Sequence, residues 1–337
     1  MSSVLIIGDY DEGVPLAFKL REEGHIVRIA SEHCPHLFLT SKNPSSITSF
    51  TRMLEQFDLI LSTREQVDPE VIETGRLIGA GAFHSRLHSP EYLRAVLLSL
   101  FPEMLTPQEG REVRLTFLFS KEMPTWALLS LPYARMMEGD RGPRVHAGLA
   151  HKMITQGKLF SLIAPLLPLL QKVVFRGPLA ITLSVKEQAL QLTNISASLD
   201  PSVLQGICEI TRRPLFALLW KAMMGEQEEV MSNEYSICTS LLCADPQEGS
   251  HYLDPAPEAL PHLWPISLKE TPEGFQTSGG ARLGTVSARG ISMKECKRRV
   301  NRTIERAVKS PEVMWRRDIG DDAEERFEEL RGWGWLM

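Results

Sequence analysis

Residues 275–320, "FQTSGGARLGTVSARGISMKECKRRVNRTIERAVKSPEVMWRRDIG", decide the fold reading. A double-glycine turn leads into "GARLGTVSARG" (280–290), which is predicted as a strand. Ser292-x-x-Glu295 then forms a capping box, in which each side chain satisfies an orphan amide at a helix start. It opens "SMKECKRRVNRTIERAV" (292–308) as a helix, and "MWRRDIG" (314–320) closes the stretch. Turn, strand, helix and basic closing segment together make a small α+β unit.

Outward from this unit, "EYSICTSLLCA" (234–244) is predicted as a strand, and the proline-rich "DPAPEALPHLWP" (254–265) as a linker. "DDAEERFEELRGWGWLM" (321–337) is an acidic helix ending in Trp333 and Trp335. Near the N-terminus, "SVLIIGD" (3–9), "VPLAFKLREEG" (14–24) and "HIVRIA" (25–30) give strand, helix and strand. Pro15 is expected in the helix first turn and Gly24 just past its end. This βαβ opening predicts a parallel sheet covered by helices. "FDLILST" (57–63) adds a buried strand, and "SPEYLRAVLLSLFPE" (89–103) a helix capped by Ser89.

The middle of the chain differs. "REVRLTFLFSKE" (111–122) and "TWALLSLPY" (125–133) alternate as antiparallel strands do. "MEGDRGPRVHAG" (137–148) is a glycine-rich loop. "GPLAITLSVKEQALQLTNIS" (177–196) is a hairpin turning near Lys186–Gln188, and "DPSVLQGICEITRRPLFALLWKAMMG" (200–225) starts a helix at Asp200. The expected units are 1–104, 105–232, 233–320 and the tail 321–337.

Bulk properties exclude several classes. The chain has 337 residues, of which 43% are hydrophobic and 23% charged. That balance is the one soluble globular proteins have. A net charge of −5 gives no general attraction for nucleic acid. The five cysteines, Cys34, Cys208, Cys238, Cys243 and Cys296, form no CxxC pair, which suits a reducing compartment. The N-terminal apolar run lacks a basic flank and is not a signal peptide. The apolar stretch 158–174 contains two prolines and is too short to span a bilayer. A cytoplasmic location is expected.

The stretch 275–320 closely resembles the C-terminal domain of the phosphoribosylamine–glycine ligase (glycinamide ribonucleotide synthetase) family, whose domain ends in an aromatic-Arg-basic-Asp-Ile-Gly segment. "VLIIGD…LAFKLREEG", "LIGAGAFHSRLHSPEYL", "EGDRGP" and "SLDPSVLQ" fall in that family's order. The resemblance implies an α/β fold: a Rossmann-like N-terminal domain, an ATP-grasp core and a small α+β C-terminal domain. It also implies ATP, magnesium and a sugar-phosphate pocket. By resemblance, Gly8, Gly139, Asp140, Gly142, Pro143, Gly280 and Arg282 are the candidate substrate-binding residues, with Arg282 expected beside the "EGDRGP" loop.

Three departures stand against ligase activity. The phosphate turn reads "GDYDEGV" (8–14): Gly8 remains, while Asp9, Asp11 and Glu12 crowd a helix N-terminus where they favour the dipole and repel a phosphate. Residues 105–111 leave no room for the lid of an ATP-grasp core. Counting back from Asp200, the family's metal-binding Glu and Asn fall on Thr193 and Ile195. Threonine offers only a neutral hydroxyl and isoleucine no ligand. A one-residue shift brings in Asn194 but no carboxylate.

The expectation is a ligase relative that has lost ATP-dependent activity, needs neither cofactor, and binds a protein partner, a second copy of itself or a small anion. The alternative is an active carbon–nitrogen ligase with an altered substrate, or one completed by a partner chain. The glycines of "EGDRGP" and "GGAR" have a second reading as turn residues. His33, Cys34 and His36 form a possible soft-metal cluster without a fourth ligand, and His84 and His88 are four apart without a metalloprotease glutamate. The basic helix 292–309 is expected to be solvated or neutralised by the acidic tail rather than to bind nucleic acid. The tail is expected to cover an apolar face left by the missing lid, unless another chain does so.

Overall fold

The computed structural model describes residues 1–8, 10–30, 54–63, 71, 74–79, 90–105, 110–120, 124–172, 175–197, 199–226, 230, 232–272 and 274–337. The His33–Cys34–His36 cluster, His84, His88, Asp9 and the Ser89 cap lie outside these residues.

Among the described residues, the N-terminal unit is a parallel sheet of four short strands in the order β2-β1-β3-β4: β1 (Ser3–Ile7), β2 (Ile26–Ala30), β3 (Leu59–Ser62) and β4 (Leu77–Gly79). Helix α1 (Tyr10–Glu22) follows β1, and Leu16 and Leu20 pack in one cluster with Val4 and Ile6. The helix starts earlier than the sequence suggested, so Pro15 lies inside it and Glu12 belongs to its first turn. A proline at that depth removes an amide donor but keeps helical φ, which one missing bond near the start tolerates. Helix α2 (Pro90–Leu100) buries Leu93 and Leu97.

Residues 101–110, which include a 3-10 turn at Pro102–Leu105, join α2 to β5 (Arg111–Phe119). β5 enters an antiparallel nine-stranded sheet with β6 (Ala127–Met137), β7 (Arg141–Ile154), β8 (Gly177–Val185), β9 (Leu190–Ser196), β10 (Tyr235–Cys243), β11 (Leu263–Pro265), β14 (Arg282–Gly290) and β15 (Val313–Met314). Its order is β11-β14-β10-β7-β6-β5-β8-β9, with β15 on β10; β12 (Leu268–Thr271) and β13 (Gly274–Thr277) form a separate hairpin. β10 pairs with β7, so one sheet runs across the expected boundary at 232/233.

The β5–β6 and β8–β9 pairings follow the predicted strands, and the second turns at Lys186, whose amide donates to the Ala189 carbonyl. Two readings change. The "loop" 137–148 is a tight hairpin turn, because Gly139 and Asp140 take φ of 67° and 56° and release the chain straight into β7. Positive φ at successive turn residues matches the twist of the strands that they join. The helix begun at Asp200 is two helices, α5 (Pro201–Thr211) and α6 (Leu215–Met224), because Arg212 adopts φ 55° between them. Pro214, which lacks an amide, starts the second.

The two sheet faces differ chemically. On one, Val113, Leu115, Phe117, Leu129 and Leu131 form an apolar cluster with the short helices α3 (Lys158–Ser161) and α4 (Leu167–Lys172). The same cluster holds Cys296, Val300 and Ile304 of α7 (Met293–Ala307), and Phe327, Leu330 and Leu336 of α8 (Ala323–Gly332) and the tail. The tail is pinned within the chain: Leu159 N–H donates to the Trp335 carbonyl at 3.2 Å, and Trp335 Nε1–H to the Lys186 carbonyl at 2.7 Å. Strands expected to be uncovered by the missing lid are thus covered by the chain's own C-terminus. The opposite face carries α5, whose Val203, Leu204, Ile207 and Ile210 cluster with Leu128, Leu149 and Met153 beside a buried polar row that includes Ser130, His151 and Gln205. No helix among the described residues is long and apolar enough to cross a membrane.

Candidate ligand-binding site

The α5-covered face of the large sheet meets the start of α5 at a cavity of about 320 Å³. Asp200 caps α5, its Oδ1 accepting from Ser202 N–H at 2.9 Å and Val203 N–H at 3.4 Å. Its Oδ2 accepts from Arg114 Nη1 of β5 at 2.6 Å. Burial alone would raise the Asp200 carboxyl, but Arg114, His146 and Arg282 outweigh it and hold it at about 2. His146 enters from β7 with φ 48°, its carbonyl accepting from Ser240 Oγ at 2.7 Å. Burial lowers the His146 pKa, against the raising pull of Asp200.

Arg282, at the start of β14, follows a register shift between Leu241 and Leu242 and donates from Nη2 to Ser202 Oγ at 3.1 Å. Gly280 and Ser267 form the adjoining wall, and Glu12 of α1 closes the rim. Segments distant in sequence therefore bring two arginines, one histidine and two carboxylates together. Deeper under α5, His151 bonds Ser130 Oγ at 2.8 Å; it is fully buried, and burial depresses its pKa to about 3, so it is neutral. Gln205 accepts from Thr285 Oγ1 at 2.7 Å. This layer holds α5 in one register.

The residues carried over by resemblance divide into two places. Gly280 and Arg282 line the cavity. Gly139, Asp140, Gly142 and Pro143 lie in the β6–β7 hairpin, and "MWRRDIG" grips it. Gly139 N–H donates to Asp318 Oδ2 at 2.8 Å. Arg316 donates to Asp318 at 2.6 Å, to Asp140 at 3.1 Å and to the Arg135 carbonyl at 3.2 Å, and stands 5.1 Å over the Tyr133 ring. Arg135 in turn donates to the Gly142 carbonyl at 2.7 Å. Asp140 is not among the residues that line the Arg282 cavity: Asp140 bonds Arg316, while Arg282 bonds Ser202. Gly8 follows β1 and is not among the cavity-lining residues; a Cβ there would stand 1.8 Å from Thr63 Oγ1, so packing explains that glycine.

At the positions that the sequence resemblance matched to magnesium ligands, Thr193 Oγ1 donates to the Thr182 carbonyl at 2.9 Å and Ile195 is 4% exposed in the apolar cluster. These residues do not fit magnesium. Among the described residues no group of three His, Cys, Asp or Glu side chains could hold a metal ion.

Sequence reasoning missed His146 and Glu12 as cavity groups, and Arg114 as the partner of Asp200. Arg114 had a signal, a lone charge inside an apolar alternation; His146 and Glu12 had none, because only the crossing of β7 and α1 brings them near α5.

No family model matches the chain, and no curated protein matches it. Solved structures do. Phosphoribosylamine–glycine ligase from Thermotoga maritima superposes with a TM-score of 0.67 at 13% identity, over 94% of this chain and 99% of that one. Phosphoribosylglycinamide synthetase from Anaerococcus prevotii gives 0.57 at 9%, over 93% and 99%. Urea carboxylase from Kluyveromyces lactis gives 0.61 at 10%, over 91% of this chain and 30% of that one. The chain has an ATP-grasp-type ligase fold, as its C-terminal stretch implied.

Proposed function

We propose that this chain is a ligase-fold protein that no longer forms bonds with ATP and acts instead by binding a small anion in the Arg282 cavity and by engaging a protein partner or a second copy of itself. The observation that carries the loss of activity is Ile195. A side chain 4% exposed in an apolar cluster stands where the family needs a magnesium ligand, and the neighbouring Thr193 hydroxyl is committed to a backbone carbonyl. Without a metal to bridge the phosphates, an ATP-grasp site lacks its main means of neutralising transferred charge. The short connection at 101–110 adds to this, since a single layer does not enclose a triphosphate.

Anion binding rests on Arg282 and His146 lining one cavity, since Asp200 already takes the amides of the α5 start. Arg114 and Asp200 neutralise each other, so they shape the wall rather than attract a ligand. Calorimetric titration with ATP and magnesium is expected to be flat. A thermal-shift screen with glycine and ribose 5-phosphate is expected to raise the melting temperature for the phosphorylated compound, because a ligand of the folded state stabilises it. Micromolar ATP binding, or ATP hydrolysis that depends on Asp200, would overturn the reading.

A further inference from the structure

A second cleft, of about 380 Å³, lies on the C-terminal unit between α7, β14 and the 3-10 turn Leu260–His262. Arg289, Arg299, Arg302, Arg306 and His262 all line it, together with the Thr303 hydroxyl. Two of these groups are held in place by the protein. His262 Nδ1 bonds Glu209 Oε1 at 2.6 Å, while Arg289 stands 3.7 Å from both Glu209 and Glu234. Glu209 is 6% exposed and also accepts from Ser287 Oγ at 2.7 Å, so this support is rigid.

The α7 arginines are different. Arg299 pairs with Glu295 at 2.7 Å. The helix dipole favours Arg306 in the last turn. Neither device accounts for Arg302. Arg302 and Arg306 have no ion-pair or hydrogen-bond partner among the described residues, and they sit four apart, where like charges repel along a helix. The other exposed basic residues of α7 point elsewhere: Lys294, Lys297 and Arg298 line a separate surface hollow, where Lys297 reaches Asp321 at 2.5 Å. Among the described residues Glu258 is the one carboxylate on the rim of the arginine cleft.

We propose that this cleft binds the phosphoryl group of a small phosphorylated molecule, with Arg302 and Arg306 as its principal ligands and Arg289, His262 and Thr303 completing the cradle. Planar guanidinium donors match phosphate oxygens in paired hydrogen bonds, and a concave site concentrates them on one group. The Glu209 hydrogen bond raises the His262 pKa against the effect of burial, which extends the range in which the imidazole is cationic. The cleft volume suits a metabolite. Flanking Glu258, Glu295 and Glu305 disfavour a polyanion lying along the helix.

The test is calorimetric titration of the full chain with inorganic pyrophosphate at fixed ionic strength. The Arg302→Gln/Arg306→Gln double variant is expected to weaken binding at least about tenfold, or about 1.4 kcal/mol. The control Lys294→Gln/Arg298→Gln removes the same charge from the other side of α7 and is expected to leave binding unchanged; Arg282→Gln reports whether the separate cavity takes the pyrophosphate instead. Both pairs are exposed, and retained melting temperatures verify folding. Absence of binding at millimolar pyrophosphate, equal weakening by the control pair, or loss confined to Arg282→Gln would each overturn the assignment. So would tighter binding of a single-stranded oligonucleotide that both double variants weaken alike.

Discussion

Arg282 and Arg316 make an instructive pair. Both lie in the stretch 275–320, and both face carboxylates. Arg316 is 5% exposed, and protein acceptors on three segments occupy its guanidinium. Arg282 stands in the wall of an open cavity, beside a serine hydroxyl and a helix start. The first arginine joins the C-terminal segment to the β6–β7 hairpin; the second faces the space where a ligand would enter. Residue type does not separate the two roles. What separates them is position: Arg316 is enclosed by protein acceptors, whereas Arg282 lines a cavity.

The comparison breaks most easily at Arg316. Arg316→Ala strips charge-assisted partners from Asp318 and releases the Gly139 turn. It is expected to cost about 2 kcal/mol in urea unfolding, the scale of lost hydrogen bonds to a charged group whose carboxylate partners still reach water. Little stability change with lost ligand binding would reverse the two assignments.

The acid limb tests the polar layer beneath α5. His151 has a folded pKa of about 3, below its unfolded value, so the unfolded chain binds the proton more strongly. Its contribution is fully present above about pH 6.5 and is lost as pH falls towards the folded value, with a slope of at most about 1.4 kcal/mol per pH unit. His151→Gln should flatten that slope in denaturation curves measured between about pH 6.5 and about pH 4. An unchanged slope would show that His151 does not control the layer.

Removing residues 332–337 deletes the Trp335 hydrogen bonds and the buried Leu336. A loss of about 2 kcal/mol is expected from that burial, read as a lower melting temperature without a change in mass by light scattering. Conversion of an oligomer to a smaller stable species would instead place the tail between chains.

The smallest expected effect on stability is at Arg282. Arg282→Gln should change unfolding free energy by about 1 kcal/mol, the scale of a partly buried hydrogen bond, while lowering the thermal shift from ribose 5-phosphate. A large destabilisation would make Arg282 a second structural clamp.

Much of the architecture was legible because it is local. Alternation marked β5 and β6, a capping box marked α7, with Ser292 Oγ accepting from Glu295 N–H at 3.2 Å, and the Asp200–Pro201 pair marked the start of α5. Local reading failed where two conformations compete within a few residues. It extended one helix through Arg212 and Pro214, and it gave the 137–148 hairpin as an open loop.

The sequence by itself determined the elements, the ligase-type order of the segments and the unsuitability of Thr193 and Ile195 as metal ligands, because these depend on residue chemistry and short-range periodicity. Only the tertiary structure decided that Glu12, His146, Asp200 and Arg282 share one cavity, that Asp140 belongs to Arg316, and that Arg302 and Arg306 face Arg289 and His262. Those meetings depend on β10 pairing with both β7 and β14 and on α5 lying over the join. Sheet register fixes such contacts between residues far apart in the chain, and no local pattern encodes it.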